Sequence, residues 1–230
     1  MPHLSSIADI RMGATLRGRD ATRPDPNGSY RLLRIGDISQ DGCLRPGELA
    51  RIEPNEPVHQ DLWLRPGDVL FPNRGIRTTA IAFPFDEPRM IVGPQFFIVR
   101  VNPDRALPEY IAWFLRSLDA ASYFETRRKG TYVQIIQRKD LAELEIPLPP
   151  LATQRQIVQV ANLALEERQL TERLAQVRWH FANARLIRAS QTAPQSVPAR
   201  KHRRLLDLST PIEPATAVQR PRKRKRQLDL

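Results

Sequence analysis

The sequence predicts an α+β fold, with a mixed twisted β-sheet and flanking helices, then one long coiled-coil helix and a disordered basic tail. Three observations predict it. Between Tyr30 and Val101, short runs rich in β-branched and aromatic residues are separated by Gly-Asp and Pro-Gly turn signals. From Thr153 to about Ser190 there is no proline or glycine, and apolar residues recur at spacings of three and four. After residue 190 the periodicity stops, and prolines and cations take over.

Taken in order, residues 1–29 carry Gly13, Gly18, Pro24, Pro26 and Gly28 among polar side chains, which reads as an irregular opening with turns. Regular structure is expected from Tyr30. Tyr30 to Ile38 is a short apolar run closed by Gly36-Asp37 that reads as a strand with a turn inside or just after it, and Asp41-Gly42 follows as a second turn. Pro66-Gly67-Asp68 is a tight turn delivering the strand Val69-Leu70-Phe71. Thr79 to Phe83 and Gln95 to Val101 are further strands. From Glu109, the spacing of Ile111, Phe114, Leu115 and Leu118 predicts an amphipathic helix continuing toward Phe124. The three prolines within Leu144 to Leu151 forbid helix and favour an extended connector. Thr153 then serves as N-cap of a helix roughly 50 Å long at about 1.5 Å per residue.

That helix carries Val160, Leu163, Glu167, Leu170, Leu174, Val177, Phe181 and Ala184 in an a/d heptad pattern with only Glu167 polar. An apolar stripe is usually core packing within its own domain. Here the helix is longer than a small domain covers, and the chain supplies no second long helix. The seam Val160, Leu163, Leu170, Leu174, Val177 and Phe181 is therefore expected to take its partner from another molecule, with Trp179 near the same contact.

Charge narrows the function. Lys and Arg total 36 against 25 Asp and Glu, giving +11, and such a surplus points to a polyanionic partner, nucleic acid or an anionic membrane. Residues 190–230 hold ten of the cations and three of the anions, so the tail accounts for +7 and the body for only +4. The run Arg220 to Arg226 would attract DNA regardless of sequence, with affinity falling steeply as salt rises. No apolar stretch is long enough to span a membrane and no signal sequence opens the chain, so a cytoplasmic protein with no membrane partner is expected. The lone Cys43 excludes an internal disulfide, and His3, His59, His180 and His202 have no metal-site spacing.

Two segments have the composition of DNA-contacting loops. The first is Arg127, Arg128, Lys129, Gly130, Thr131 and Tyr132, followed by Gln134, Gln137, Arg138 and Lys139. Arginine and lysine neutralise phosphates or pair with guanine, glutamine bridges adenine edges, and glycine permits close backbone approach. A solvated basic turn is the plainer alternative. The second comprises Arg74 and Arg77 around Gly75-Ile76, just after a predicted strand. Asp37 and Asp68 do not read as a catalytic pair, since each lies in a Gly-Asp turn where its carboxylate caps backbone amides. No P-loop, no dinucleotide-binding glycine motif and no Asn-Pro-Pro-Tyr or Asp-Pro-Pro-Tyr tetrapeptide is present, so no catalytic residue, metal or cofactor is expected on this chain.

The order of motifs carries a resemblance: Ile35-Gly36-Asp37-Ile38, then Leu64-x-x-Gly67-Asp68-Val69-Leu70, Pro108-Glu109-Tyr110, Gly130-Thr131 ahead of Ile135-Ile136, and Ile146 to Leu151 with Gln154 and Ile157 opening a long helix. This series, over roughly residues 8–188, resembles the target-recognition domain and following helix of type I restriction-modification specificity (S) subunits. The resemblance implies a non-catalytic subunit that reads double-stranded DNA and holds an adenine methyltransferase, joined in some assemblies by an endonuclease. S subunits usually have two recognition domains and two long helices. One of each here resembles the half-size form, which implies a homodimer, or pairing with a second specificity chain, through the helix. A symmetric dimer would read an inverted-repeat bipartite site. The resulting division is a recognition domain at 1–150, a helix for dimerisation or methyltransferase docking at 151–190, and the basic tail at 191–230. The basic tail is not part of the resemblance. The alternative function is a stand-alone dimeric DNA-binding regulator.

Overall fold

The computed structural model describes residues 1–18, 22–39, 41–45, 47, 49–76, 78–130 and 133–192. Packing divides the chain into Met1–Val177 and Arg178–Leu230. Described residues of the second unit are 178–192, the end of the last helix, and the tail expected to be disordered lies outside the described residues from 193 onward.

The strands are β1 (Ala8–Met12), β2 (Tyr30–Leu33), β3 (Ala50–Ile52), β4 (Asp68–Pro72), β5 (Ile81–Ala82), β6 (Met90–Val92) and β7 (Phe96–Val101). The helices are α1 (Pro108–Leu115), α2 (Leu118–Glu125), α3 (Arg138–Ala142) and α4 (Leu151–Thr192). The strands form two sheets. One has the order β1-β7-β4-β5 and is antiparallel throughout. The other, β3-β2-β6, is mixed, since β2 runs antiparallel to β3 and parallel to β6.

Both faces of the four-stranded sheet are buried. Val69, Phe71, Phe97 and Val99 pack with Ile111, Leu115 and Phe124 of the helices, and the Phe71 and Phe124 rings meet at 5.1 Å. Leu70, Phe96 and Ile98 point the other way, into a cluster with Leu33, Met90 and Val92 of the second sheet. This double coverage explains why β4 and the start of β7 read as unbroken apolar runs, with no alternation between apolar and polar residues. Each such side chain, fully buried, contributes about 1.5–3 kcal/mol.

The Gly-Asp carboxylates do what the sequence reading assigned them. Asp37 accepts from the Arg34 amide at 2.7 Å. Asp68, only 3% exposed, accepts from the Arg65 amide at 2.9 Å and from Arg100 Nε, its cross-strand neighbour, at 2.9 Å.

Several expectations are corrected. The opening is not irregular throughout, because Ala8–Met12 forms β1 along β7, with Ile10 opposite Val99. Pairing over a long sequence separation makes it a strand, and no turn residue announces that. The helix starting after Leu107 does not continue to Phe124. It ends at Leu115, Ser117 Oγ caps a second helix by accepting from the Ala120 amide at 3.2 Å, and Leu118 is 85% exposed and off the core face. The long helix begins at Leu151 and not after Thr153, since the Gln154 amide already donates to the Pro150 carbonyl at 3.0 Å. Strands β3 and β6 and the short α3 were not anticipated.

The first turn of α4 is fastened to the rest of its unit by Gln154, whose side chain is completely buried. Its Oε1 accepts from the Leu107 amide at 2.9 Å, and its Nε2 donates to the carbonyls of Pro149 at 2.8 Å and Arg105 at 3.3 Å. One amide thus satisfies two backbone groups at the entrance to α1 and a third, the Pro149 carbonyl, just ahead of α4. Gln154→Leu, which keeps the volume and strands all three, is expected to cost about 2–3 kcal/mol in urea unfolding of the full chain. Faster exchange of the Leu107 amide should accompany it.

Candidate nucleic-acid interface

The two basic segments singled out in the sequence are joined in space. After β4 the chain passes through Asn73, Arg74, Gly75 and Ile76, and after α2 it runs from Thr126 to Gln137 before α3. The Gly75 amide donates to the Gln134 carbonyl at 2.8 Å, and the Ile136 amide to the Asn73 carbonyl at 2.9 Å. Ile135 is bridged to Arg74 on one side and Lys129 on the other, and with Lys129 it exchanges both backbone hydrogen bonds, at 2.8 and 3.0 Å. The result is one small backbone ladder built from two loops.

Glycine is needed here. Gly130 holds φ +111°, and a Cβ on it would lie 2.4 Å from the Val133 carbonyl oxygen. Gly75 sits at φ +85°, where a side chain would be strained although nothing crowds it.

The ladder presents Arg74, Lys129 and Gln134 as exposed side chains, and Arg138, which opens α3, is exposed as well. Arg128 is half-buried. Its Nε is enclosed with no hydrogen-bond partner among the described residues, and burial pulls its pKa below the ordinary arginine value, with Glu125 opposing. Others of the set are engaged locally. The Arg127 guanidinium lies 3.7 Å from the centre of the Tyr123 ring and donates to the Tyr123 carbonyl at 3.1 Å. Gln137 Oε1 accepts from Lys129 Nζ at 3.4 Å, and Lys139 pairs with Glu143 at 3.6 Å. Arg77, Thr131 and Tyr132 lie outside the described residues.

Sequence reasoning missed Asn73, which underlies the junction. It is 4% exposed, its Nδ2 donates to the Pro94 carbonyl at 2.9 Å, and its amide donates to Gln95 at 2.9 Å. Its Oδ1 is buried without a partner among the described residues. Only its place directly after a buried strand and ahead of a basic loop marked it.

The seam of α4 lies on a different face from the one that packs on the globule. Gln154, Val158, Ala161 and Leu165, spaced four, three and four, are buried or half-buried, and Ile157 and Val158 join the main core. Further along, Arg168 pairs with Asp41, and Gln169 Nε2 lies 3.7 Å from Cys43 Sγ. At about 100° per residue, Val160, Leu163, Leu170, Leu174 and Val177 fall on the opposite side, and they are 49–66% exposed. In the second unit Phe181 is 64% exposed. Among the described residues no group of His, Cys, Asp and Glu is placed to hold a metal ion, and no helix is long and apolar enough to cross a membrane.

Against known proteins, residues 3–172 match the profile of the family described as type I restriction modification DNA specificity domain. Two solved structures have a similar fold. One is a chain from work on the structural basis of complex assembly and conformational transition of the type I R-M system (TM-score 0.58, 23% identity), covering 80% of this chain and 42% of that one. The other is the HsdS subunit from Thermoanaerobacter tengcongensis (TM-score 0.53, 22% identity), covering 76% of this chain and 39% of that one. The chain spans about two fifths of the length of each. No curated protein matches it in sequence.

The ladder geometry makes a direct prediction. Gly130→Ala should detach Lys129 from Ile135, speeding exchange of those two amides about tenfold or more while the melting temperature of the full chain shifts little. Gly36→Ala, whose Cβ would meet nothing within 4 Å, should leave both unchanged.

Proposed function

Since the chain belongs to the type I restriction modification DNA specificity domain family, we propose that it reads double-stranded DNA without catalysis of its own and directs a partner adenine methyltransferase to its site. The observation that carries this is the convergence of two separate basic segments, around Arg74 and around Lys129, on one backbone ladder with exposed Arg, Lys and Gln side chains. Phosphate neutralisation by the cations fixes register, and base-edge hydrogen bonds from the amide and guanidinium groups select sequence. In this reading Arg74, Arg77, Arg127, Arg128, Lys129, Gly130, Thr131, Tyr132, Gln134, Gln137, Arg138 and Lys139 form the DNA surface. Arg127, Gln137 and Lys139 act partly through their local contacts.

The division of labour follows the chain. Residues 1–150 recognise DNA, residues 151–190 hold a partner through the exposed stripe from Val160 to Phe181, and the basic tail at 191–230 adds attraction that does not depend on sequence. A stripe of valine and leucine opposite the face that packs on the globule suits a second helix, from another copy of this chain, a second specificity chain or the methyltransferase. An endonuclease subunit joining the same assembly is compatible with this arrangement.

The test is methylation. The chain co-expressed with the adenine methyltransferase of the same genome should produce N6-methyladenine within one defined bipartite sequence, and that methylation should vanish when the chain is omitted. Methylation unchanged by the presence of the chain would refute the proposal. Arg128→Ala or Gln134→Ala should alter the methylated sequence and leave the assembly intact.

A further inference from the structure

The joined loops carry an apolar strip that charge and hydrogen bonding do not explain. Ile76 is 75% exposed, Val133 52% and Ile135 39%. One exposed isoleucine is ordinary on a protein surface. These three are gathered by the ladder itself, since Gly75 precedes Ile76 and bonds to Gln134, which lies between Val133 and Ile135. All three are β-branched, with stiff side chains that lose little freedom when they are held against a surface. Ile76 also lines a cavity of about 270 Å³ with Ile35, Ile38 and Pro72, so this member of the strip is backed by apolar groups.

Arg74 and Lys129, the bridge partners of Ile135, and Arg138 at the start of α3 place exposed positive charge beside this strip. A protein partner needs an acidic rim to match that setting, whereas duplex DNA offers both a phosphate border and apolar groups within it. In the major groove the apolar group is the thymine 5-methyl, and the opposite base of the same pair presents the adenine N7 and N6 edge that glutamine reads. We propose that Ile76, Val133 and Ile135 contact thymine methyl groups, so that the two loops read A·T pairs jointly, methyl by the β-branched side chains and adenine edge by Gln134. This rests on the DNA-reading function proposed above, and it assigns a recognition role to three residues that carry no charge or hydrogen-bonding group.

The first arm of the test acts on the DNA and so does not depend on any variant folding. The full chain, alone and with its methyltransferase, is used to enrich binding sequences from duplexes containing a random segment. The enriched duplex is then resynthesised with each thymine replaced in turn by deoxyuridine, which removes the methyl and keeps the base pairing. Loss of one buried methyl predicts binding about three- to fivefold weaker at one or more positions. In Ile76→Ser or Ile135→Ser, that same uracil substitution should then make no difference, as a double-mutant cycle requires. An enriched sequence tolerant of uracil everywhere, or variants as sensitive to uracil as the parent, would overturn this inference while leaving DNA recognition in place. Failure to enrich any sequence in either form would overturn both.

Discussion

The buried carboxamide of Gln154 decides which way the long helix faces. With its Oε1 and Nε2 bonded to the Leu107 amide and the Arg105 carbonyl in the loop before α1, and to the Pro149 carbonyl before α4, the first turn of α4 has a fixed rotation. Each residue along a helix turns the side-chain direction by about 100°. Fixing residue 154 therefore sets Val158, Ala161 and Leu165 against the globule and turns Val160, Leu163, Leu170 and Leu174 away from it. Were the helix to dock one residue out of phase, the stripe would rotate toward the globule and the outer face would become polar. The contact between Arg168 and Asp41 continues the same docking face.

The joined basic loops depend on the same core from the other side. Phe71 of β4 and Phe124 of α2 touch beneath the sheet, and each lies just before one of the two basic loops. The core thus brings the loop starts together, and Asn73 and Ile136 fasten the junction through the backbone. Buried contacts far from solvent in this way set the spacing of exposed cations. Recognition by such a surface demands rigid placement, because base edges are told apart by hydrogen-bond geometry of a few tenths of an ångström.

Much of this was legible in the sequence. Strand β4, strand β7, helix α1 and the turn roles of Asp37 and Asp68 follow from local pattern, since buried β-branched runs and Gly-Asp turns signal themselves within a few residues. The stripe on α4 is legible for the same reason, being a repeat along one element. Strand β1 was not, because Ile10 is its only buried residue and its identity comes from pairing with a strand about ninety residues away. Nor was the break between α1 and α2, where Ser117 outweighs the apolar repeat by capping a new helix. At the interface, each basic segment stood out by composition. Their union did not, because Gly75 meets Gln134 through backbone groups that every residue carries. Asn73 was hidden likewise, since an asparagine after a strand most often marks an ordinary turn.

We propose that the two surfaces have separate partners, DNA on the joined loops and protein on the outer face of α4. Thiol labelling of Gln134→Cys and Leu170→Cys, with native Cys43 as internal reference, measures this in the assembled complex. Separate partners predict that a duplex enriched with the Gln134→Cys chain itself slows labelling at position 134 alone, and that assembly with the protein partner slows it at position 170 alone. Protection of position 170 by DNA, with position 134 left as reactive as before, would contradict it.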